Sequence, residues 1–462
     1  MTLNVVIAGG GPAGATAATY LARAGHRVTV LEKTRYPREK VCGDGLTPRA
    51  VREMNYLGMA HDEADGWQRT RGLRFVAGGR ASTVSFEGFS SDIPSYGLTR
   101  TRADFDQQLA RMAAAAGAEV LEGHTVRGAV RDDAGRVVGV TVQRTTPEGR
   151  RAGEPFTVAA DVVVAADGNS SPVAKSLGIL PRSDRPMGVA QRVYYTSPMS
   201  YSPWMETWLQ LPDRNGDLMP GYGWVFGVGD GTANVGLGIL DTAKDFRSID
   251  LRSTLSEWVD VMQEHEPTRG FVPENQVGVV RGAALPMAFN RTPHVVPGAV
   301  LLGDAAGLVS PFNGEGIDAA MESARIAADV IDDAVIAARY RGGTPAQVRA
   351  AFDAGLQRYP ELIQQHFGAH YGAGKVFAHM VGNPKIMRTA VRLGMGSNAL
   401  MRFVVRAMGN LSDRNSPALV DRVVQALERV VPPVRNTVST PGRNSGKHSA
   451  KFSPEEVRLK VS

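Results

Sequence analysis

Leu3-Asn-Val-Val-Ile-Ala8-Gly9-Gly10-Gly11-Pro12-Ala13-Gly14 is the stretch on which the fold of this chain turns. Its first six residues are a short, mostly apolar, β-branched run, its glycines break that run, and an Ala-rich helical pattern follows from Ala13 to Ala24. Gly25 stands where a helix ends, and Arg27 to Leu31 forms a second β-branched run that closes on Glu32. The order is strand, turn, helix, strand. Gly9-x-Gly11-x-x-Gly14 alone is weak in a chain with 52 glycines, but here it follows a strand, opens a helix, and has an acid 18 positions beyond Gly14. In that context Gly9 permits a tight turn, Gly11 lets backbone approach a pyrophosphate, Gly14 lets helix and sheet pack closely, and Glu32 accepts ribose hydroxyls. The helix N-terminus adds partial positive charge for phosphate. These features predict a dinucleotide site.

Further βα pieces lie downstream. A helix is expected over Phe105–Ala116, strand pieces run on through Val142 with a hairpin at Gly135, and Asp161–Ala166 and Ala299–Leu302 read as buried strands. A long helix is expected from Gly316 to about Ala338. Between these pieces residues 181–290 carry four of the five Trp, many Gly and Pro, and alternating patterns typical of antiparallel strands. The expected organisation is a discontinuous nucleotide domain (residues 1–60, 95–180 and 281–340), a β-rich domain (61–94 and 181–280), a helical region (341–434) and a disordered basic tail (435–462). Disorder is expected from Pro432 onward, where large apolar residues nearly vanish. No internal repeat is visible.

With 462 residues, 43% hydrophobic and 21% charged, the chain can fill a large core, which excludes global disorder and a small disulfide scaffold. The net charge is +6, but Arg435–Ser462 holds six basic and two acidic residues, so the body is close to neutral. A uniformly basic nucleic-acid surface is not implied, and no nucleic-acid partner is expected. Cys42 stands alone, which excludes an intrachain disulfide and an all-Cys metal site and fits a reducing, cytoplasmic setting. The N-terminal apolar run has no basic residues ahead of it and no run approaches 18 apolar residues, so neither a signal peptide nor a transmembrane helix is expected.

The fingerprint does not separate NAD from FAD; residues 303–317 do. Gly303-Asp304-Ala-Ala-Gly307, then Pro311-Phe-Asn-Gly314-Glu-Gly316-Ile317 and a long helix, resembles the second FAD motif of the p-hydroxybenzoate hydroxylase-like flavoproteins. The resemblance implies that Asp304 binds the ribityl chain and that Gly314, Gly316 and Ile317 bring N–H groups to the flavin N1/C2=O edge. An N-cap role for Asp304 is compatible with it. Asp167-Gly168 is similar to that superfamily's third motif, and Arg102 to an arginine at the head of the following helix. No second Gly-x-Gly-x-x-Gly lies between a strand and a helix, so no dedicated NADPH domain is expected. The external reductant is left open between transiently docking NAD(P)H and a protein donor.

Two further stretches narrow the family. Lys40-Val-Cys42-Gly43-Asp44-Gly45-Leu-Thr47-Pro48-Arg49-Ala50 resembles the geranylgeranyl reductase family, most closely its menaquinone reductase branch, in which this segment lies against the flavin. That puts Cys42, Gly43 and Gly45 beside the isoalloxazine, with Cys42 as the candidate catalytic residue; a buried small hydrophobe is the plain alternative. Tyr222-Gly-Trp224-Val-Phe226-Gly227, followed after eight residues by Gly236-Leu-Gly238, resembles the family's lipid-site motif, with Gly227 where the family has Pro. Period-2 spacing places Tyr222, Trp224 and Phe226 on one strand face, an aromatic wall suited to an isoprenoid or, equally, an ordinary core stripe. The cofactor-binding set implied by the resemblance is completed by Gly9, Gly11, Ala13, Gly14, Glu32, Lys33 and Val126. Near the C-terminus Leu400, Phe403, Val404, Ala407, Met408 and Leu411 form a helical stripe with Arg402 and Arg406 off it. A peripheral membrane contact, a tunnel cap or a core helix all suit that stripe.

The fold class expected is therefore α/β: a Rossmann-type FAD-binding domain of the glutathione reductase 2-like kind, a β-rich substrate domain and a helical C-terminal region. The family implies an FAD-dependent prenyl reductase that saturates C=C bonds of a prenyl lipid, either a menaquinone side chain or a geranylgeranyl group. A flavin monooxygenase acting on an aromatic or terpenoid compound is the alternative, and a flavin-binding module without turnover a third. No Glu, His or Lys stands out in the sequence as proton donor.

Overall fold

The computed structural model describes residues 2–436 except 217, 220, 244–245, 382–388, 390, 392–393 and 413–418. Its first sheet has six strands in the order Val295–Val296, Ala299–Leu301, Val162–Ala165, Asn4–Ala8, Arg27–Glu32, Glu119–Glu122. All pairings are parallel except that of Val295–Val296 with Ala299–Leu301. Parallel strands need crossovers that cover both faces, and Val162–Ala165 and Ala299–Leu301 are accordingly buried at every residue. The helix Pro12–Arg23 packs against both Arg102–Ala115 and the 25-residue helix Ile317–Arg341, and its buried residues are mostly alanines and other small residues. The meander expected around Gly135 is present as a three-stranded antiparallel sheet, His124–Arg131, Val137–Thr145 and Arg151–Ala159.

A second sheet of seven strands runs Gln276–Pro286, Met187–Thr196, Thr232–Leu240, Tyr222–Gly227, Trp204–Trp208, Gly72–Ala77, Arg80–Ser85. Only Trp204–Trp208 and Gly72–Ala77 pair in parallel within it. The helix Leu251–His265 covers one face through the fully buried Trp258, in a core with Val193, Leu211, Val225 and Leu237. Residues 45–46, 68–70 and 97–99 form a small sheet between the two large ones.

Three sequence expectations shift. The boundary at 280/281 falls inside the strand Gln276–Pro286, whose Met187 to Tyr195 partners hold it in the second sheet. Disorder does not begin at Pro432: Val434 is buried, its N–H donates to Gly368 O at 2.9 Å, and Asn436 Nδ2 donates to Pro360 O at 2.6 Å. Burial of Val434 in the main core and hydrogen bonds to Pro360, Gln364 and Gly368 fix this segment; the rest of the basic tail, 437–462, lies outside the described residues. The helix Asn398–Met408 buries a face offset from the stripe expected, of whose members Leu411 alone is fully buried. Met401, Val405 and Leu411 pack with Phe75, Phe86 and Phe89, while Leu400 is exposed and Arg406 is buried, 3.0 Å from Asp421 and bonded to the Gly88 and Phe89 carbonyls. Contact with the Arg80–Ser85 strand selects that face, and a carboxylate plus two carbonyls satisfy the arginine.

Candidate active site

At the end of Asn4–Ala8, Gly9 adopts φ +96° and its N–H donates to Leu31 O at 2.9 Å, closing the turn onto the neighbouring strand. A Cβ on Gly14 would stand 1.9 Å from Gly9 O, so any larger residue drives helix from strand. The side of Gly11 is open except for Arg38 Nη2, 3.5 Å from where its Cβ would be. Glu32 Oε2 accepts Gly10 N–H at 2.9 Å, and Oε1 accepts the Thr34 N–H and hydroxyl at 3.0 and 2.8 Å. These bonds orient the carboxylate and leave lone pairs for a ribose. Tyr36 OH donates to Gly10 O at 2.5 Å, bringing Arg38 across the turn, 3.0 Å from Asp106 and 3.6 Å from Glu32.

Next along the same cavity come Lys33, Arg38, Lys40 and Arg102, facing Asp304. Arg102 makes a two-pronged pair with Asp106 at 2.7 and 2.8 Å. Lys40 forms no ion pair among the described residues. Burial, and then the charges of Arg102, Arg38 and Lys33, push its amine below the usual lysine range against the pull of Asp304. A diphosphate is the kind of partner such a cluster lacks. Asp304 is not an N-cap: Leu302 holds that position, and the Asp304 carbonyl accepts Arg291 Nη1 at 3.1 Å. Asp167 also lines the cavity, and its carboxylate ties down Ser171 OH and Val173 N–H.

At the far end two segments meet. Gly314, at φ +73°, and Gly316 precede the helix Ile317–Arg341, and Tyr222 OH donates to Asn313 O at 2.8 Å. Opposite them runs Cys42-Gly43-Asp44-Gly45. Asp44 is wholly buried at φ +64° and accepts from Tyr194 OH, from Asn234 Nδ2 at 2.8 Å and from Arg102 N at 3.1 Å. Burial raises its carboxyl to about 6 against these bonds. Asn234 also donates to Cys42 O at 2.8 Å and accepts Trp224 Nε1 at 2.9 Å. One amide thus joins the aromatic strand to the Cys42 segment. Burial pushes the Cys42 thiol up, with Arg102 opposing, so the sulfur is a neutral S–H rather than a thiolate.

Tyr222, Trp224 and Phe226 do share one face, with ring centroids 6.2 and 6.5 Å apart. Their glycine neighbours are steric necessities: a Cβ on Gly236 would lie 2.3 Å from the Trp224 ring, and one on Gly43 would lie 3.1 Å from Phe226. Gly43 and Gly45 therefore admit the aromatic wall itself. At Gly227 a Cβ would come within 2.2 Å of Met199 O, so the family's proline has no room here. Beyond the wall the cavity is lined by Leu73, Phe75, Phe86, Met205, Leu209, Val405, Met408 and Leu411. The whole space, about 2340 Å³ counting its open mouth, runs without interruption from Glu32 to this apolar chamber.

Of the residues expected at the site, Gly11, Ala13, Glu32, Lys33, Cys42, Gly43, Gly45, Arg102, Asp304, Gly314, Gly316, Ile317 and the three aromatics line this cavity. Gly9 and Gly14 shape its entrance from behind. Val126 is not among the residues that line it; it is buried opposite Val142 in the meander, on a strand that touches the one ending at Glu32. Sequence reading gave no role to Lys40, Asp44, Asn234 or Glu315. Three of these stand inside motifs already singled out; Asn234 carries no local signal, since its partners are 10 to 192 positions away.

FAD fits this arrangement, with an open glycine turn, an unpaired lysine among cations and a glycine loop heading a long helix in one continuous cavity. Fold and site define an FAD-dependent oxidoreductase. A family model described as an FAD binding domain matches residues 2–332. The chain is 34% identical over 431 residues to a menaquinone reductase of Mycobacterium tuberculosis, covering 93% of this chain and 97% of that protein. It is 35% identical over 412 residues to a menaquinone reductase of Mycolicibacterium smegmatis, covering 88% and 91%. The crystal structure of a geranylgeranyl bacteriochlorophyll reductase-like protein from Thermoplasma acidophilum matches with a TM-score of 0.70 at 25% identity, over 92% of this chain and 99% of that one. The chain belongs to the FAD-binding family, in its geranylgeranyl and menaquinone reductase branch.

Proposed function

We propose that this protein saturates a C=C bond in the isoprenoid side chain of menaquinone. One observation carries the reading: the cavity that begins at the dinucleotide turn continues, past the Cys42 segment, into a chamber walled by aromatic and aliphatic side chains. Bound and reduced, FAD supplies a hydride equivalent to one alkene carbon. The turn at Gly9–Gly14 and the helix behind it bind phosphate, Glu32 holds ribose, Lys33, Lys40 and Arg102 neutralise the diphosphate, and Asp304 takes the ribityl hydroxyls. The Gly314–Gly316 loop and its helix N-terminus favour negative charge at the ring edge by ~0.3–1 kcal/mol. An isolated alkene has no polar handle, so Tyr222, Trp224, Phe226 and the chamber grip the chain by apolar burial, ~0.8 kcal/mol per CH₂, and exclude water. Electrons come from NAD(P)H docking transiently or from a protein donor.

The test is anaerobic. FAD-loaded protein is reduced with dithionite, menaquinone or a geranylgeranyl lipid is added, and product mass is read beside flavin reoxidation. A gain of two mass units on menaquinone supports the reading, and a gain only on the geranylgeranyl lipid moves the substrate. Reoxidation with no mass gain on either sinks it, because a quinone can accept electrons without reduction of its chain.

A peripheral place on the inner face of the cell membrane suits such a substrate. Among the described residues no helix is long and apolar enough to cross a membrane. Leu419, Val420, Val423 and Val430 are exposed on the helix Leu419–Val430, an apolar surface suited to lipid. Co-flotation with anionic vesicles supports that placement; its absence removes it.

A further inference from the structure

Saturating an alkene takes a proton as well as a hydride equivalent, and on the aromatic wall the one O–H, that of Tyr222, is committed to the Asn313 carbonyl. Of the carboxyl groups lining the cavity, Glu32 and Asp167 are occupied by backbone and hydroxyl donors, and Asp304 faces the cationic stretch. Glu315 stands apart from them. It lies between Gly314 and Gly316, in the loop that Tyr222 OH grips, next to the aromatic wall. Its carboxyl meets only neutral partners: the Thr47 hydroxyl donates to Oε1, and Asn313 Nδ2 donates to Oε2 at 3.4 Å.

Among the described residues Glu315 forms no ion pair. The Arg49 guanidinium is already shared by Asp318, at 3.5 Å, and Glu322. An ionised Glu315 would add a third carboxylate to that one cation, with Asp318 three residues further along the chain, so the arrangement favours a proton on it. The charge of Arg49 reaches it from the helix Pro48–Leu57 and that of Asp318 from Ile317–Arg341, Tyr371 faces it from Arg358–Val381, and Glu322 and His370 stand beside Asp318. Burial and Asp318 raise its carboxyl to about 8, against Thr47, Arg49 and Asn313.

We propose that Glu315 is the acid that protonates the second alkene carbon, an inference that rests on the reductase reading above. The O–H bond of Glu315 breaks as a C–H bond forms, the other carbon takes the hydride equivalent, the π bond is consumed, and the glutamate is left as a carboxylate. Solvent returns its proton before the next turnover.

The test compares wild type, Glu315→Gln and Glu315→Asp as dithionite-reduced holoproteins across pH, with infrared difference spectra of the oxidised holoproteins. Wild-type chain reduction should fall above about pH 8. Glu315→Gln should keep its FAD and lose at least about a hundredfold in chain reduction and the alkaline limb with it. Glu315→Asp should recover part of the rate with a displaced limb. A protonated-carboxyl stretch should be present in wild type below the limb and absent in Glu315→Gln. Full activity in Glu315→Gln, or an alkaline limb unmoved in Glu315→Asp, overturns the proposal. If Glu315→Gln cannot hold FAD, the Asp limb decides. If wild type reduces no prenyl lipid, the reductase reading fails by itself, while lack of the carboxyl band refutes the proton on Glu315.

Discussion

Cys42 and Gly14 are two motif residues whose demands the structure separates. The Cys42 thiol is half-buried in the cavity wall and its pKa is pushed up, so its alkylation at neutral pH should be much slower in the folded holoprotein than in unfolded chain, followed by mass spectrometry. Rapid alkylation in the native state would restore a thiolate role. Gly14 is fixed by contact alone, because a Cβ there meets Gly9 O at 1.9 Å. Gly14→Ala should lose FAD and cost about 1–3 kcal/mol in denaturant unfolding. Glu315 shows the limit of residue-level reading: it stood in plain view within Pro311–Ile317, yet its worth as an acid depends on Arg49 being taken by Asp318 and Glu322, residues up to 273 positions apart.

The strand Tyr222–Gly227 is the element that links cofactor to substrate. Its period-2 aromatics were legible, but what ties it to the Cys42 segment is Asn234 on the next strand, bridging Trp224 Nε1 and Cys42 O. Asn234→Leu removes buried hydrogen bonds worth about 1–3 kcal/mol. It should retain FAD while lowering chain reduction, because the wall can then drift from the Cys42 segment. Unaltered turnover would dissociate Asn234 from substrate positioning. Restoring the family residue with Gly227→Pro should destabilise rather than help, since the site is filled by the Met199 and Ser200 carbonyls. The helix Asn398–Met408 teaches the same at larger size. Its periodicity predicted a stripe, and contact with the Arg80–Ser85 strand chose a neighbouring face with a paired arginine inside.

For the whole molecule, proton binding couples site to stability. Glu315 and Asp44 have carboxyls raised to about 8 and about 6 from 4.5 and 3.8. A raised folded-state pKa means the native state binds more protons, so their contribution is fully present below the unfolded values and is lost as pH rises through about 6 and then about 8. Glu322 runs the other way, held down by Arg49 and His366, and its contribution is lost as pH falls below the ordinary glutamate range. Thermal melts from about pH 5 to about pH 9 should therefore show Glu315→Gln gaining steadily on wild type as pH rises to about 8, with the two curves running parallel above it. Curves parallel over the whole range would refute a raised carboxyl at Glu315.

The sequence by itself determined whatever depends on neighbours along the chain. The βαβ unit, the glycine turn, Glu32 at a strand end, the second FAD motif and the aromatic alternation are local patterns of period and spacing, and each is present as read. Tertiary structure alone decided what depends on separate segments meeting. It drew strand Gln276–Pro286 into the second sheet and buried Val126 opposite Val142. It also placed Asn234 between Trp224 and Cys42, and left Glu315 without an ion pair among the described residues. Burial, charge and shared hydrogen bonds are properties of that meeting, set by groups far apart in the chain that no window of sequence contains.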